Sequence, residues 1–104
     1  MAIAFALGLQ PILAQSSTEY NNQALVKYKA RDYNGALIDF NKAIELDAKN
    51  EKAWHNRGLV KFSIKNYEGA IKDHSKAIEL NPAYSNAFND RALACAARTS
   101  RPCD

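Results

Sequence analysis

Two histidines, two cysteines and a recurring set of carboxylates are the side chains of this 104-residue chain whose types could do chemistry. His55 and His74 could hold a metal or move a proton, but neither has a second histidine or a cysteine at ligand spacing, and no histidine pair stands four apart on a helix. Asp39, Glu45, Asp73 and Glu79 recur at one interval, which suits solvated or paired helix charges better than an acid and base pair. No glycine loop for phosphate and no nucleophile motif is present. The expectation is therefore a chain with no catalytic, metal-ligating or cofactor-binding residue. Cys95 and Cys103 leave two alternatives: a disulfide, favoured if the chain is exported and turned back at Pro102, or two unpaired thiols with Cys95 as a small packing residue.

The interval that relates the carboxylates organises the whole chain. YNGALIDFNKAIELDA, from Tyr33 to Ala48, returns as YEGAIKDHSKAIELNP, from Tyr67 to Pro82, with nine of sixteen positions identical and an offset of 34 residues. The same offset carries Tyr20 onto Trp54 and Trp54 onto Phe88. A period of that length is the mark of stacked helical units. The expected class is all-α, about five helices in antiparallel pairs: a first helix capped by Ser17 or Thr18 and running to about Ala30, a second to about Asp47, a third over 51–64, a fourth over 68–80 stopped by Asn81 and Pro82, and a fifth over 85–98.

Within each unit, small residues let helices approach closely. Ala24 and Gly58 are expected to face Ala36 and Ala70, and the recurrence of Gly35 and Gly69, each about 1 kcal/mol worse than Ala in a helix, points to a packing or turn role. Tyr33, Ile44, Leu46, Tyr67, Ile78 and Leu80 supply apolar bulk. His74 occupies the place of Phe40 and is expected to be a half-buried packing residue; His55 is placed on the opposite face of its unit.

Trp54, Gly58, Phe62, Ala70, Ala77 and Pro82 in one unit, and Tyr20, Ala24, Tyr28, Ala36, Phe40 and Ala43 in the other, resemble the tetratricopeptide repeat pattern. Arg57, Lys61 and His74 depart from it, as does Ala48 where the family closes with proline, and a third unit starts with Phe88 and Ala92 and then stops. The resemblance covers residues 17 to 98 and divides them into repeats at 17–50, 51–84 and a partial 85–98, followed by a tail at 99–104. It implies helix pairs stacked as a right-handed superhelix and a protein–protein interaction module without catalysis. With fewer than three full repeats and no closing helix after Arg98, Ala92, Leu93, Ala96 and Ala97 are expected to be bare.

Charge and hydropathy exclude some partners. The net charge is +3, spread as a neutral first repeat, a surplus of two cations in the second and one beyond it, so there is no basic stripe for nucleic acid. No apolar run reaches membrane-spanning length. Residues 1–15, MAIAFALGLQPILAQ, carry no charged side chain and are read as a signal peptide cleaved near Ala14 or Gln15, which would make the protein periplasmic or secreted; the alternatives are an apolar helix covering the first repeat and a cytoplasmic protein.

Asp39 and Asp73 recur on second helices, and Arg57 and Arg91 on the first helices of the units that follow, with Gln23 in the first unit. This pattern predicts two ion pairs between repeats, Asp39 with Arg57 and Asp73 with Arg91, each contributing about 0 to 1 kcal/mol.

Binding is the function left. The concave face implied by the resemblance would present Asn21, Asn22, Leu25 and Tyr28 from the first helix, Lys52, His55, Asn56, Leu59 and Phe62 from the third, and Asn86, Asn89, Asp90 and Leu93 from the fifth. Amides among apolar side chains suit the backbone and side chains of an extended peptide or partner protein. The second expectation is a self-assembling fragment that forms homo-oligomers through its terminal helices. Some family members clamp a C-terminal carboxylate with Lys and Arg of the first and third units and an Asn of the middle one. Here Asn56 matches the middle place, but Asn21, Leu25, Asn86 and Asp90 stand where the cations would be, so acidic tails are expected not to bind.

Overall fold

The computed structural model describes residues 15–99 and Cys103. Five helices follow one another: α1 Ser17–Lys29, α2 Tyr33–Leu46, α3 Glu51–Ser63, α4 Tyr67–Leu80 and α5 Ser85–Thr99. The fold is all-α. Helices α1 and α2 pair, as do α3 and α4, while α2 packs on α3 and α4 on α5; α1 also meets α3, and α3 meets α5, along one side of the stack.

Local chemistry explains each start. Ser16, not Ser17 or Thr18, caps α1: its hydroxyl accepts from the Glu19 amide at 3.1 Å and its own amide donates to Glu19 Oε1 at 2.7 Å, a reciprocal capping box. Ser17 is instead buried, and donates its hydroxyl to the Ala43 carbonyl at 2.7 Å. Asp32 and Asn66 cap α2 and α4 by accepting from the amides of Gly35 and Gly69, both at 3.0 Å. A Cβ on Gly69 would come within 2.6 Å of the Asn66 side chain, and one on Gly35 would strike Asp32. The recurring glycines therefore leave room for the cap.

The turns inside the two repeats are also copies. Arg31 and Lys65 adopt φ of 67° and 68°, and the amides that follow, Asp32 and Asn66, reach back to the Lys27 and Lys61 carbonyls at 2.8 Å. This is the Schellman closure, here built without the glycine that usually relieves the left-handed residue. Between repeats, Asp47 and Asn81 each accept from an amide two residues on, at 3.0 and 3.1 Å, so the turn at Ala48 closes as the one at Pro82 does.

The core is mostly alanine: Ala24, Ala36, Ala43, Ala53, Ala70, Ala77, Ala87 and Ala94 are fully buried along with Phe40, Val60, His74 and Cys95. Small side chains keep the helices close, so a ring at one place must be matched by a gap at another. Gly58 supplies such a gap, since a Cβ there would lie 2.6 Å from His74 Cε1. His74 is thus wholly buried where half-burial was expected.

The ion pairs differ from those predicted. Asp39 pairs with Lys27 at 2.8 Å, and Asp73 takes Arg57 in a two-pronged contact, 2.8 Å from both Nε and Nη2, together with Lys61 at 3.1 Å. Both carboxylates are buried between the two helices of their own repeat, where Lys27 and Lys61, themselves 34 residues apart, reach them from the first helix. The arginines do cross to the preceding repeat, two residues further along than expected: Arg57 donates to Asn41 Oδ1 at 2.9 Å and Arg91 to Ser75 Oγ at 3.2 Å.

Candidate functional site

The face along which α1, α3 and α5 meet is held by polar contacts between residues one position beyond the repeat period. Asn56 Nδ2 donates to Asn21 Oδ1 at 3.1 Å, Tyr28 and Ser63 hydroxyls meet at 3.3 Å, and His55 Nε2 lies 2.7 Å from Asp90 Oδ2. Each pair is separated by 35 residues. His55 and Asp90 are the 34-residue counterparts of Asn21 and Asn56, so one register is filled with amides at the first junction and with an imidazole and a carboxylate at the second.

The histidines also meet, contrary to the expectation that they lie on opposite faces. Their ring centroids are 5.3 Å apart, because His74 points from α4 toward α3 where His55 sits. His55 is buried and held on both sides, its Nδ1 lying 3.0 Å from the Tyr84 hydroxyl. Burial, with the neighbouring His55 charge, lowers the His74 pKa from 6.5 to about 4, so His74 is neutral near pH 7. Neither of its ring nitrogens has a hydrogen-bond partner among the described residues. Burial, with the charges of Glu51 and Asp90, raises the Tyr84 pKa and keeps the phenol protonated. Among the described residues no group of three or more His, Cys, Asp or Glu is arranged to hold a metal ion.

The thirteen residues singled out in the sequence divide by burial. Asn21 and His55 are each 5% exposed and are spent on contacts between helices. Leu25, Tyr28, Asn56, Leu59, Phe62 and Asp90 are half-buried, while Asn22, Lys52, Asn86, Asn89 and Leu93 are open to solvent. Tyr28 is braced on Tyr33 at 5.8 Å and Phe62 on Tyr67 at 5.3 Å, so the aromatics of the face are positioned by the second helix of each repeat. Leu59, Phe62, Asp90 and Leu93 come together with His74 around a recess of about 170 Å³. The sequence reading did not include Tyr84, Ser63 or His74 in the site. For Ser63 the signal was its 35-residue spacing from Tyr28, which the 34-residue comparison alone does not display; Tyr84 and His74 meet His55 at other separations, set by packing.

The structure joins Cys95, on α5, to Cys103, with Cα atoms 5.3 Å apart. Ala92, Leu93, Ala96 and Ala97 on the same helix are exposed. No helix of the described residues is long and apolar enough to cross a membrane.

Two tetratricopeptide repeat profiles match the chain, one over residues 20–50 and one over 51–84. The chain belongs to the tetratricopeptide repeat family. Among solved structures it is similar to the second such domain of Spaghetti (RPAP3) bound to an HSP90 peptide, SRMEEVD, with a TM-score of 0.77 and 29% identity over 79% of this chain and 76% of that one. The first domain of the same protein, bound to the same peptide, matches with a TM-score of 0.77 and 26% identity over 80% of this chain and 66% of that one. MamA matches at 23% identity with a TM-score of 0.77, a likeness of fold, and this chain spans 45% of it. A search of curated proteins gave no match.

Proposed function

We propose that this tetratricopeptide protein is a noncatalytic interaction module that takes an extended segment of a partner protein along the face lined by α1, α3 and α5. The observation that carries the reading is the composition of that face: exposed Asn22, Asn86 and Asn89 flank the half-buried Leu25, Leu59 and Phe62. Amides can bond a peptide backbone while the apolar floor covers its side chains. The peptide-bound state of two similar structures supports the general mode.

Their ligand is acidic, and this chain opposes it. Asn56, the residue that matches the family's clamp, donates its amide to Asn21, while Asp90 stands where a cation would be. A carboxylate brought there meets like charge. Titration with SRMEEVD, free and C-terminally amidated, is expected to give no binding that depends on the free carboxylate. Tight binding of the free acid alone would overturn the reading of the groove, as would a partner complex indifferent to Asn56→Ala.

Self-association has its own support in the exposed Ala92, Leu93, Ala96 and Ala97, with Phe88 41% exposed on the same helix. Light scattering on the eluting protein separates a monomer from an oligomer. Export of the chain is the compartment we propose, supported by the charge-free segment 1–15 and by the Cys95 to Cys103 link, which suits an oxidising environment.

A further inference from the structure

The recess between α3 and α5 is walled by Leu59, Phe62 and Leu93, and has two polar neighbours, His74 and Asp90. His74 is fully buried and neutral near pH 7, so it brings no charge. Asp90 is different. Its side chain is 28% exposed, and its Oδ2 lies 2.7 Å from His55 Nε2. Tyr84 stays a phenol and can donate its hydroxyl hydrogen to His55 Nδ1, which leaves Nε2–H to donate to Asp90 Oδ2. That assignment follows from satisfying every group in the network. Only one of the several acceptor sites of the carboxylate is then used by His55.

No lysine or arginine lines the recess, so a carboxylate with one oxygen held by His55 stands beside an apolar wall without a Lys or Arg partner there. We infer that this recess is a specificity pocket for one basic side chain, Lys or Arg, of the bound segment, its methylene stem against Leu59, Phe62 and Leu93 and its cation on Asp90. The inference rests on the proposed reading of the face as a peptide site. Long basic side chains combine the two chemistries required, an apolar stem and a charged tip. A glutamate would meet like charge, and a purely apolar side chain would cover the carboxylate without pairing it. The first junction offers no equivalent, because Asn56 replaces Asp90 and its amide is engaged by Asn21. The pocket therefore sets the position of the basic residue toward the α5 end of the groove.

The test uses the full chain, ¹⁵N-labelled, titrated with capped Ala-Ala-Xaa-Ala-Ala peptides in which Xaa is lysine, norleucine or glutamate. The lysine peptide is expected to shift the amides of Leu59, Phe62, Asp90 and Leu93, and to bind about fivefold tighter than the norleucine peptide, the scale of a part-exposed ion pair. Glutamate should bind most weakly. Asp90→Asn should erase the advantage of lysine over norleucine. Leu93→Lys, at a position 59% exposed and outside the His55 to Asp90 hydrogen bond, should do the same while leaving both partners of that bond in place. Equal binding of lysine and norleucine, or a lysine advantage that survives both substitutions, overturns the pocket while leaving a peptide-binding groove. Shifts at this face with none of the three peptides overturn the pocket and the groove together.

Discussion

The junction between the first and second repeats and the one that follows it use the same positions for different chemistry. At the first, Asn21 and Asn56 share a hydrogen bond, with Phe40 as the counterpart of His74; at the second, His55 and Asp90 do so beside His74 itself. An amide pair and a phenylalanine have no protons to exchange near neutrality. The buried imidazole of His74 takes one up in acid, because burial lowers its pKa to about 4. The same contrast runs through the ion pairs: Asp39 holds one lysine that is itself 42% exposed, and Asp73 holds an arginine and a lysine that are 17% and 22% exposed. Repetition of the fold thus requires the geometry of a contact and leaves its charge free to vary. The second repeat is the one made sensitive to solution conditions.

Acid is the strongest way to separate the two. His74 has a folded pKa of about 4 against 6.5 for a free imidazole, so below pH 6.5 the unfolded chain takes up a proton that the folded chain refuses. Stability is then lost as pH falls from 6.5 to about 4, by roughly 3 kcal/mol from this group. The charges that bear on it are those of His55, Asp73, Asp90 and Arg91. His74→Phe, which installs the residue of the first repeat, is expected to remove most of that slope in urea unfolding compared at pH 7 and pH 4.5. Phe40→His should add a similar slope; an unchanged difference between the two pH values in either variant would break the contrast.

The carboxylates come next. Asp73→Ala leaves Arg57 and Lys61, both largely covered, without their anion, and is expected to lower stability by about 2 to 3 kcal/mol. Asp39→Ala releases a lysine that can turn to solvent, so a loss of about 1 kcal/mol or less is expected. Equal denaturation midpoints for the two variants would show that the extra cation at Asp73 adds nothing.

A smaller effect is expected from Tyr84→Phe. It removes the hydroxyl from Nδ1 of a buried histidine and should destabilise by about 1 to 2 kcal/mol. The complementary change at the first junction, Asn50→Ala, removes both a bond to Ser17 Oγ and the cap on the Ala53 amide, and serves as the reference for loss of a contact that involves no histidine.

Helix number and order were legible in the residues because the determinants are local. Asp32, Asn50 and Asn66 sit before apolar-periodic stretches, and a cap needs only its own next three residues to act. Even there, neighbouring hydroxyls compete, and the choice of Ser16 over Ser17 followed from Glu19 closing the box and Ala43 drawing Ser17 inward. The contacts of Tyr28 with Tyr33 and of Phe62 with Tyr67 are local in the same way, since each pair stands five residues apart in both copies.

The 34-residue period, the alternation of first and second helices and the small residues at their crossings are properties of the sequence alone, because each depends on spacing along one chain. Which cation reaches Asp73, and whether two histidines 19 residues apart touch, depend instead on the rotation and height at which α3 packs on α4. A shift of one turn along a helix moves a side chain by about 5.4 Å, more than the reach that separates an ion pair from none. Close packing of Gly58 against His74 goes with the pairing of Arg57 and Asp73 across α3 and α4, while the meeting of His55 with Asp90 and the recess beside them depend in the same way on how α5 sits against α3.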